Sequence, residues 1–255
     1  DVVKHLIVLA LVEAMRRKPK GFFLLDTHAG RGAYDLAMAD QGDSLERKPE
    51  WPDGLGRLRQ TVDRPELVQR YLDAVEGFAG SQIFPEANPY PGSPCLVAAQ
   101  LREQDRATWC ELQSGEFQLL RDILVCRRGW RVEERDGYEA VRGCLPPVER
   151  RALVLIDPPY EAGDESDQVW AALLEGLRRL PGGTFAIWYP LTARVGDRVV
   201  DAATDDAHVH QDRHVEFLGG LVDTEVGVVV VGLADADHLQ AAVALFVELA
   251  NVAVL

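Results

Sequence analysis

"LVLIDPPYEAG", Leu153 to Gly163, decides how the rest of the chain is read. An unbroken aliphatic run, Leu153 to Ile156, meets Asp157-Pro158-Pro159-Tyr160, so a strand stops at two prolines with a carboxylate before them and a phenol after. Aliphatic residues without polar alternation mark a strand covered on both faces, the situation in a parallel sheet. Pro158 fixes its own φ and holds Asp157 extended, so the carboxylate and the following carbonyl leave the sheet edge as two acceptors at a defined spacing. Such a pair can take both hydrogens of an exocyclic amine on a planar ring, and Tyr160 can stack on that ring. The plainer reading, a proline-rich turn that ends a strand, weakens once the other strand ends are read the same way.

Outward from this corner, four more runs have strand character: Phe22 to Leu25, Thr108 to Cys110, Trp130 to Glu133 and Thr184 to Trp188. Helical spacing of apolar residues fits Val2 to Met15, Glu116 to Leu124, Tyr138 to Arg142 and Gln168 to Leu180. Strands alternating with helices predict an α/β fold built on a parallel, doubly wound sheet. Residues 40–94 break the pattern. They are rich in Pro, Gly and acidic residues around two helical stretches, Gly54 to Val62 and Pro65 to Phe78, and contain no convincing strand, so they read as a small helical insertion subdomain. Residues 1–39 and 95–255 then form the main domain. Val215 to Leu218 and Val226 to Val231 predict a closing hairpin, and His238 to Leu249 an amphipathic stretch beside it.

Composition sets the outer bounds. A chain of 255 residues with 47% hydrophobic content buries one sizeable core, or one core with an inserted subdomain. No apolar run approaches the roughly 20 residues of a membrane span and the start has no export signal, so the expectation is a soluble cytoplasmic protein with no membrane partner. Four cysteines without a Cys-x-x-Cys pair fit reduced, mostly buried thiols. The net charge of −14 argues against a protein that coats nucleic acid nonspecifically but leaves local docking open. Basic pairs such as Arg127-Arg128 and Arg178-Arg179 read as solvated surface.

In a doubly wound sheet, ligands sit beyond the carboxyl ends of the strands. The first strand ends in "DTHAGRG", where Gly30 and Gly32 allow a close approach of backbone to a ligand, either an adenosine-type cofactor or nothing more than a structural turn. Glu111 follows the second strand and can accept hydrogen bonds from both ribose hydroxyls. The usual gap from glycine loop to that acid is about 20 residues; here the insertion lengthens it. Asp136-Gly137 follows the third strand, where the carboxylate can meet an adenine amino group or simply cap a helix. S-adenosylmethionine fits both halves of the picture, an adenosine and an electrophile for an amine. No Gly-x-x-x-x-Gly-Lys-Ser/Thr loop occurs, so an ATP-dependent reading lacks its main feature. His208, His210 and His214 read as surface histidines and not as a metal site.

With these motifs in order, the chain resembles the bacterial 23S ribosomal RNA (adenine(2030)-N(6))-methyltransferases. The resemblance rests on "DVVKH" at Asp1, "LDTHAGRGAY" at Leu25, "YPGSP" at Tyr90, "LREQD" at Leu101, "DGY" at Asp136, "LPPVERRALVLIDPPYE" at Leu145 and "WYP" at Trp188, and spans the first three quarters of the chain. It implies a Rossmann-like, S-adenosylmethionine-dependent methyltransferase with a helical insertion, no metal and naked or incompletely assembled 23S rRNA as partner, acting as a monomer. It also implies cofactor contacts from His5, His28, Ser93, Glu111, Asp136 and Gly137, with Lys4 beside them and Asp157 as the catalytic acceptor. Family members carry an aromatic and His-containing segment upstream of "DVVKH", expected to fold over cofactor and base, whereas this sequence starts at Asp1. They also tend to end a late strand in Asn-Pro-Pro-Trp, where Gly232-Leu233-Ala234-Asp235 stands here. An adenine-N6 methyltransferase acting on DNA, and a noncatalytic RNA-binding or cofactor-sensing protein on the same fold, are the competing readings.

Overall fold

A computed structural model describes residues 2–39, 51–81, 88–124, 127–160, 164–190, 214–218 and 226–232. Helix α1 (Val2–Arg16) is apolar over most of its circumference and ends in a cation, where the helix dipole favours one. It leads to β1 (Phe23–Asp26), the short β2 (Ala33–Asp35) and the single turn α2 (Leu36–Ala39). A π-helical turn at Pro52–Gly56 then runs into α3 (Arg57–Gln60), followed by α4 (Glu66–Gly80), β3 (Pro89–Pro91) and α5 (Ser93–Ala98). Thereafter strands and helices alternate: β4 (Arg106–Glu111), α6 (Ser114–Ile123), β5 (Trp130–Glu134), α7 (Gly137–Cys144), β6 (Ala152–Ile156), α8 (Glu165–Arg179) and β7 (Thr184–Pro190). Strands β8 (His214–Leu218) and β9 (Val226–Gly232) follow.

The main sheet has the order β5-β4-β1-β6-β7-β9-β8. Its first five strands are parallel, and the β8–β9 hairpin adds antiparallel to β7. This is the Rossmann-like α/β architecture. The aliphatic run of β6 is buried at every position, because helices cover both faces of the strand. On one face Ile7, Val8, Leu11 and Val12 of α1 pack with Leu24, Trp109, Leu153 and Trp188. On the other, Val141 of α7 and Leu173 and Leu177 of α8 pack with Leu25, Val154, Ile156 and Phe185.

Helix α1 serves two layers. Its Leu6 and Leu9 turn away from the sheet and share a third apolar cluster with Leu67, Val68, Tyr71 and Leu72 of α4 and Tyr90 of β3. The helical segment therefore packs its apolar face on α1 instead of closing a core of its own. It also contains a strand that its composition hides: β3 pairs antiparallel with β2, with Tyr34 opposite Tyr90, in a two-stranded sheet separate from the main one. Three residues ending in proline at both sides give no period-two signal, and Pro lacks the N–H that a ladder uses. Helix α5 is likewise absent from the sequence pattern, six residues long and seated by the burial of Leu96 and Val97. The stretch at His238 to Leu249 lies outside the described residues.

The end of the sheet opposite the strand-end loops is locked by Asp105, which is fully buried. Its carboxylate accepts from Phe22 N (3.2 Å), Arg102 N (2.9 Å), Arg102 Nε (2.8 Å) and Arg102 Nη2 (2.9 Å), while Arg102 Nη1 donates to the carbonyls of Arg16 and Lys18. Removing one member of a buried pair leaves the other charge without its partner. Asp105→Ala is therefore expected to lower stability by about 3 to 5 kcal/mol in urea unfolding; an unchanged midpoint would remove this lock from the account.

Candidate active site

Between β1 and β6 the sheet changes its direction of growth, with β4 and β5 to one side and β7, β9 and β8 to the other. The loops beyond the two strands part there and leave a crevice. A cavity of about 560 Å³ occupies it.

The loop after β1 is stitched to both neighbouring strands. Thr27 donates to the Leu155 carbonyl of β6 through its backbone N (3.0 Å) and its Oγ1 (2.9 Å), and Ala29 N donates to the Cys110 carbonyl of β4 (2.9 Å). The chain then turns through Gly30 and Gly32 at φ of 65° and 83°, a region glycine enters without steric cost. Gly30 N donates to Glu111 Oε2 (2.9 Å), and Gln113 N to Glu111 Oε1 (2.8 Å). Each oxygen keeps acceptor capacity beyond the one bond it holds.

Asp136 is both a cap and a cavity residue. Its Oδ1 accepts from Tyr138 N (2.8 Å) and Glu139 N (3.2 Å) at the start of α7, while the side chain also lines the cavity. Beside it, a Cβ on Gly137 would lie 2.0 Å from the Thr27 carbonyl oxygen, so α7 meets the β1 loop where only glycine fits. From the other side, α1 and α5 contribute Lys4, His5 and Ser93 to the cavity wall, and His28 enters from the β1 loop. Lys4 Nζ lies 2.7 Å from Asp157 Oδ2, an ion pair at the cavity lip with both side chains about one-third exposed (27% and 34%).

The carboxylate at the cavity floor is Asp26, which the sequence reading passed over. It is 2% exposed; Oδ1 accepts from His28 N (3.3 Å) and Oδ2 is buried with no hydrogen-bond partner. Burial first, then the nearby carboxylate of Asp157, push its carboxyl up to about 7. Burial also brings His5 down to about 3 and His28 to about 4, so both rings are neutral. The signal for Asp26 was available, since it stands at the end of β1 as Glu111 does at the end of β4. Glu165, Gln168 and Trp188 of the cavity wall carried no such signal.

Of the residues singled out in the sequence, Lys4, His5, His28, Gly30, Ser93 and Glu111 meet at this cavity, as do Asp136, Gly137, Asp157 and Pro158. Tyr160 does not. Its ring packs with the apolar cluster under α7 and α8, and its hydroxyl donates to the Trp188 carbonyl (2.7 Å). Tyr160, at a φ of 55°, thereby ties the proline corner to β7. Among the described residues no three His, Cys, Asp or Glu side chains gather as a metal site requires; His208 and His210 lie outside them. No described helix is long and apolar enough to cross a membrane.

The fold and this cavity define an α/β protein with a nucleotide-sized site at the switch point of its sheet. The family profile described as "Ribosomal RNA large subunit methyltransferase D, RlmJ" matches residues 19–209, and the chain belongs to that family. It is 40% identical over 196 residues to Ribosomal RNA large subunit methyltransferase J of Haemophilus influenzae, covering 76% of this chain and 67% of the relative. The Escherichia coli protein of the same name is 38% identical over 194 residues, with the same coverage of both chains. A Legionella pneumophila protein of known crystal structure superposes with a TM-score of 0.76 at 26% identity, over 98% of this chain and 90% of that one.

The raised carboxyl of Asp26 has a consequence for stability. The unfolded chain ionises near 3.8 and the folded one near 7, so the stability that comes from the neutral carboxyl is complete below about pH 4 and lost as pH rises to about 7. In ligand-free protein, the unfolding free energy of the wild type should fall over that interval relative to Asp26→Asn, which has no proton to lose. Parallel pH profiles in urea titrations would contradict the assignment.

Proposed function

We propose that this protein transfers a methyl group from S-adenosylmethionine to the N6 amine of an adenine in 23S ribosomal RNA, adenine 2030 by family resemblance. The observation that carries the reading is the placement of Asp157 at the lip of a cavity whose floor and walls suit that cofactor. A buried carboxylate with an unpartnered oxygen, Asp26, suits a cationic ligand, and the contact between Gly137 and Thr27 keeps the wall beside Asp136 free of a side chain. Glu111 offers acceptor capacity for ribose hydroxyls, Asp136 for an adenine amino group, and His5, His28, Gly30 and Ser93 complete the binding surface. When bound, S-adenosylmethionine supplies an electrophilic methyl group on a positively charged sulfur.

The chain's own residues have the remaining work. An adenine N6 is a poor nucleophile because its lone pair is delocalised into the ring. Asp157 accepts a hydrogen bond from the amine, favours a pyramidal nitrogen and offers the nearest carboxylate to the proton that the methylated nitrogen sheds. Lys4 holds Oδ2 at 2.7 Å and so orients Oδ1 as the acceptor. Pro158 fixes the backbone of the corner, and the Tyr160 tether keeps it against β7. The target adenine has to leave its stack to reach Asp157, which suits a loop or incompletely assembled RNA. The enzyme acts as a monomer in this reading, and the described part of its helical segment, α4 with β3, docks on α1.

Protein, methyl-labelled cofactor and 23S RNA from a strain lacking the gene should yield N6-methyladenosine at one nucleotide, mapped by digestion and mass spectrometry. Protein-free RNA should react faster than assembled large subunits, because a chain of net charge −14 has little spare attraction for a folded ribosomal surface. Methylation of another atom, of DNA in preference to RNA, or faster reaction of intact subunits would overturn the corresponding part of the proposal.

A further inference from the structure

Behind the cavity wall, three buried polar groups stand in single file. His5 of α1 places Nδ1 3.0 Å from the Tyr90 hydroxyl of β3, and that hydroxyl lies 2.8 Å from the Tyr71 hydroxyl of α4. His5 is 5% exposed, Tyr90 6% and Tyr71 0%. The rings also touch, with the His5 centroid 5.6 Å from that of Tyr90 and 6.1 Å from that of Tyr71. Among the described residues the Tyr71 hydroxyl has no polar partner except Tyr90, and Tyr90 has none beyond its two neighbours.

Two hydroxyl protons must be placed in two links. If Tyr71 donates to Tyr90 and Tyr90 donates to Nδ1, both protons are used and the neutral ring carries its own proton on Nε2. In the opposite order, Nδ1–H donates to Tyr90, Tyr90 donates to Tyr71, and the Tyr71 O–H is left buried without an acceptor. A buried donor without a partner bears its whole desolvation cost, so the first order prevails. Nε2 is the ring nitrogen left for the cavity that His5 lines.

We infer that Tyr90, backed by Tyr71, is a positioning residue that holds His5 as its Nε2–H tautomer, so that the cavity wall presents an N–H donor to a carboxylate or carbonyl oxygen of the bound ligand. The identity of that ligand rests on the methyltransferase reading; the tautomer does not. The helical segment thereby sets the hydrogen-bonding sign of a group at the cavity wall, since Tyr71 and Tyr90 reach His5 from residues 51–91. The amino-acid end of S-adenosylmethionine carries a carboxylate, an acceptor of the required kind. Burial keeps the imidazole neutral, so the donor persists through neutral pH.

The full chain labelled with ¹⁵N in its histidine rings tests this without ligand, through two-bond ¹H–¹⁵N spectra in which His5 is identified by its loss in His5→Gln. The wild type should show a protonated Nε2 and an unprotonated Nδ1 whose resonance is displaced by an accepted hydrogen bond. That displacement should vanish in Tyr90→Phe and persist, reduced, in Tyr71→Phe, where Tyr90 still has His5 as its acceptor. In calorimetry Tyr90→Phe should bind S-adenosylmethionine about tenfold more weakly, a loss equal to one hydrogen bond. A protonated Nδ1 in the wild type, or an Nδ1 resonance that ignores Tyr90→Phe in a folded protein, would overturn the inference. Should Tyr90→Phe fail to fold, the wild-type and Tyr71→Phe spectra decide alone. The expected spectra with no cofactor binding by any variant would count against the methyltransferase reading and leave the relay standing.

Discussion

Parallel pairing of β1 with both β4 and β6 is the constraint on which the site depends. Because Asp26 sits in register with Leu155 and Trp109, the chain leaving β1 emerges level with the ends of both neighbours. The hydrogen bonds from Thr27 to Leu155 and from Ala29 to Cys110 carry that register one step beyond the sheet. Glu111, Asp136 and Asp157 are then brought to one crevice by the lengths of their strands. No long-range attraction among them is needed, and as like charges they would separate without the backbone to hold them. The aliphatic cores on the two sheet faces stabilise the arrangement, and the acidic cavity is carried by that scaffold.

Two consequences follow for the chemistry. The cavity concentrates carboxylates, with Lys4 the lining cation paired to Asp157, so it favours a ligand that brings positive charge and disfavours one that brings only phosphate. The proposed amine acceptor at the lip and the acids proposed to bind the cofactor also come from different elements. Asp157 follows β6, whereas Glu111 ends β4 and Asp136 follows β5, so the two proposed roles call for separate tests by mutation.

Much of this was legible in the sequence, for a physical reason. Strands covered on both faces are unbroken apolar runs, and the residue that ends each run must face the crevice, which identified Glu111, Asp136 and Asp157 from their positions alone. What stayed hidden depends on partners far away in the chain. Nothing local to Tyr160 reveals the Trp188 carbonyl, 28 residues on, that takes its hydroxyl. His5 carries no signal of its own in a helical stretch, because its partner Tyr90 is 85 residues away on a three-residue strand. Asp26 shares the strand-end position of Glu111, and what marks it beyond that position, an oxygen buried without a partner, exists only in three dimensions.

The division of labour at the proline corner is the central claim, and Asp157 decides it. Single-turnover methylation of saturating RNA, run beside cofactor titration, compares the wild type with Asp157→Ala and Asp157→Asn. An acceptor whose value lies in the transition state predicts that alanine slows turnover by about 10²- to 10³-fold while cofactor affinity stays within about threefold. Asparagine, which still accepts one hydrogen bond without the charge, should fall between alanine and the wild type. Near-normal turnover by the alanine variant, or a loss of activity matched by a loss of cofactor binding, would contradict the account.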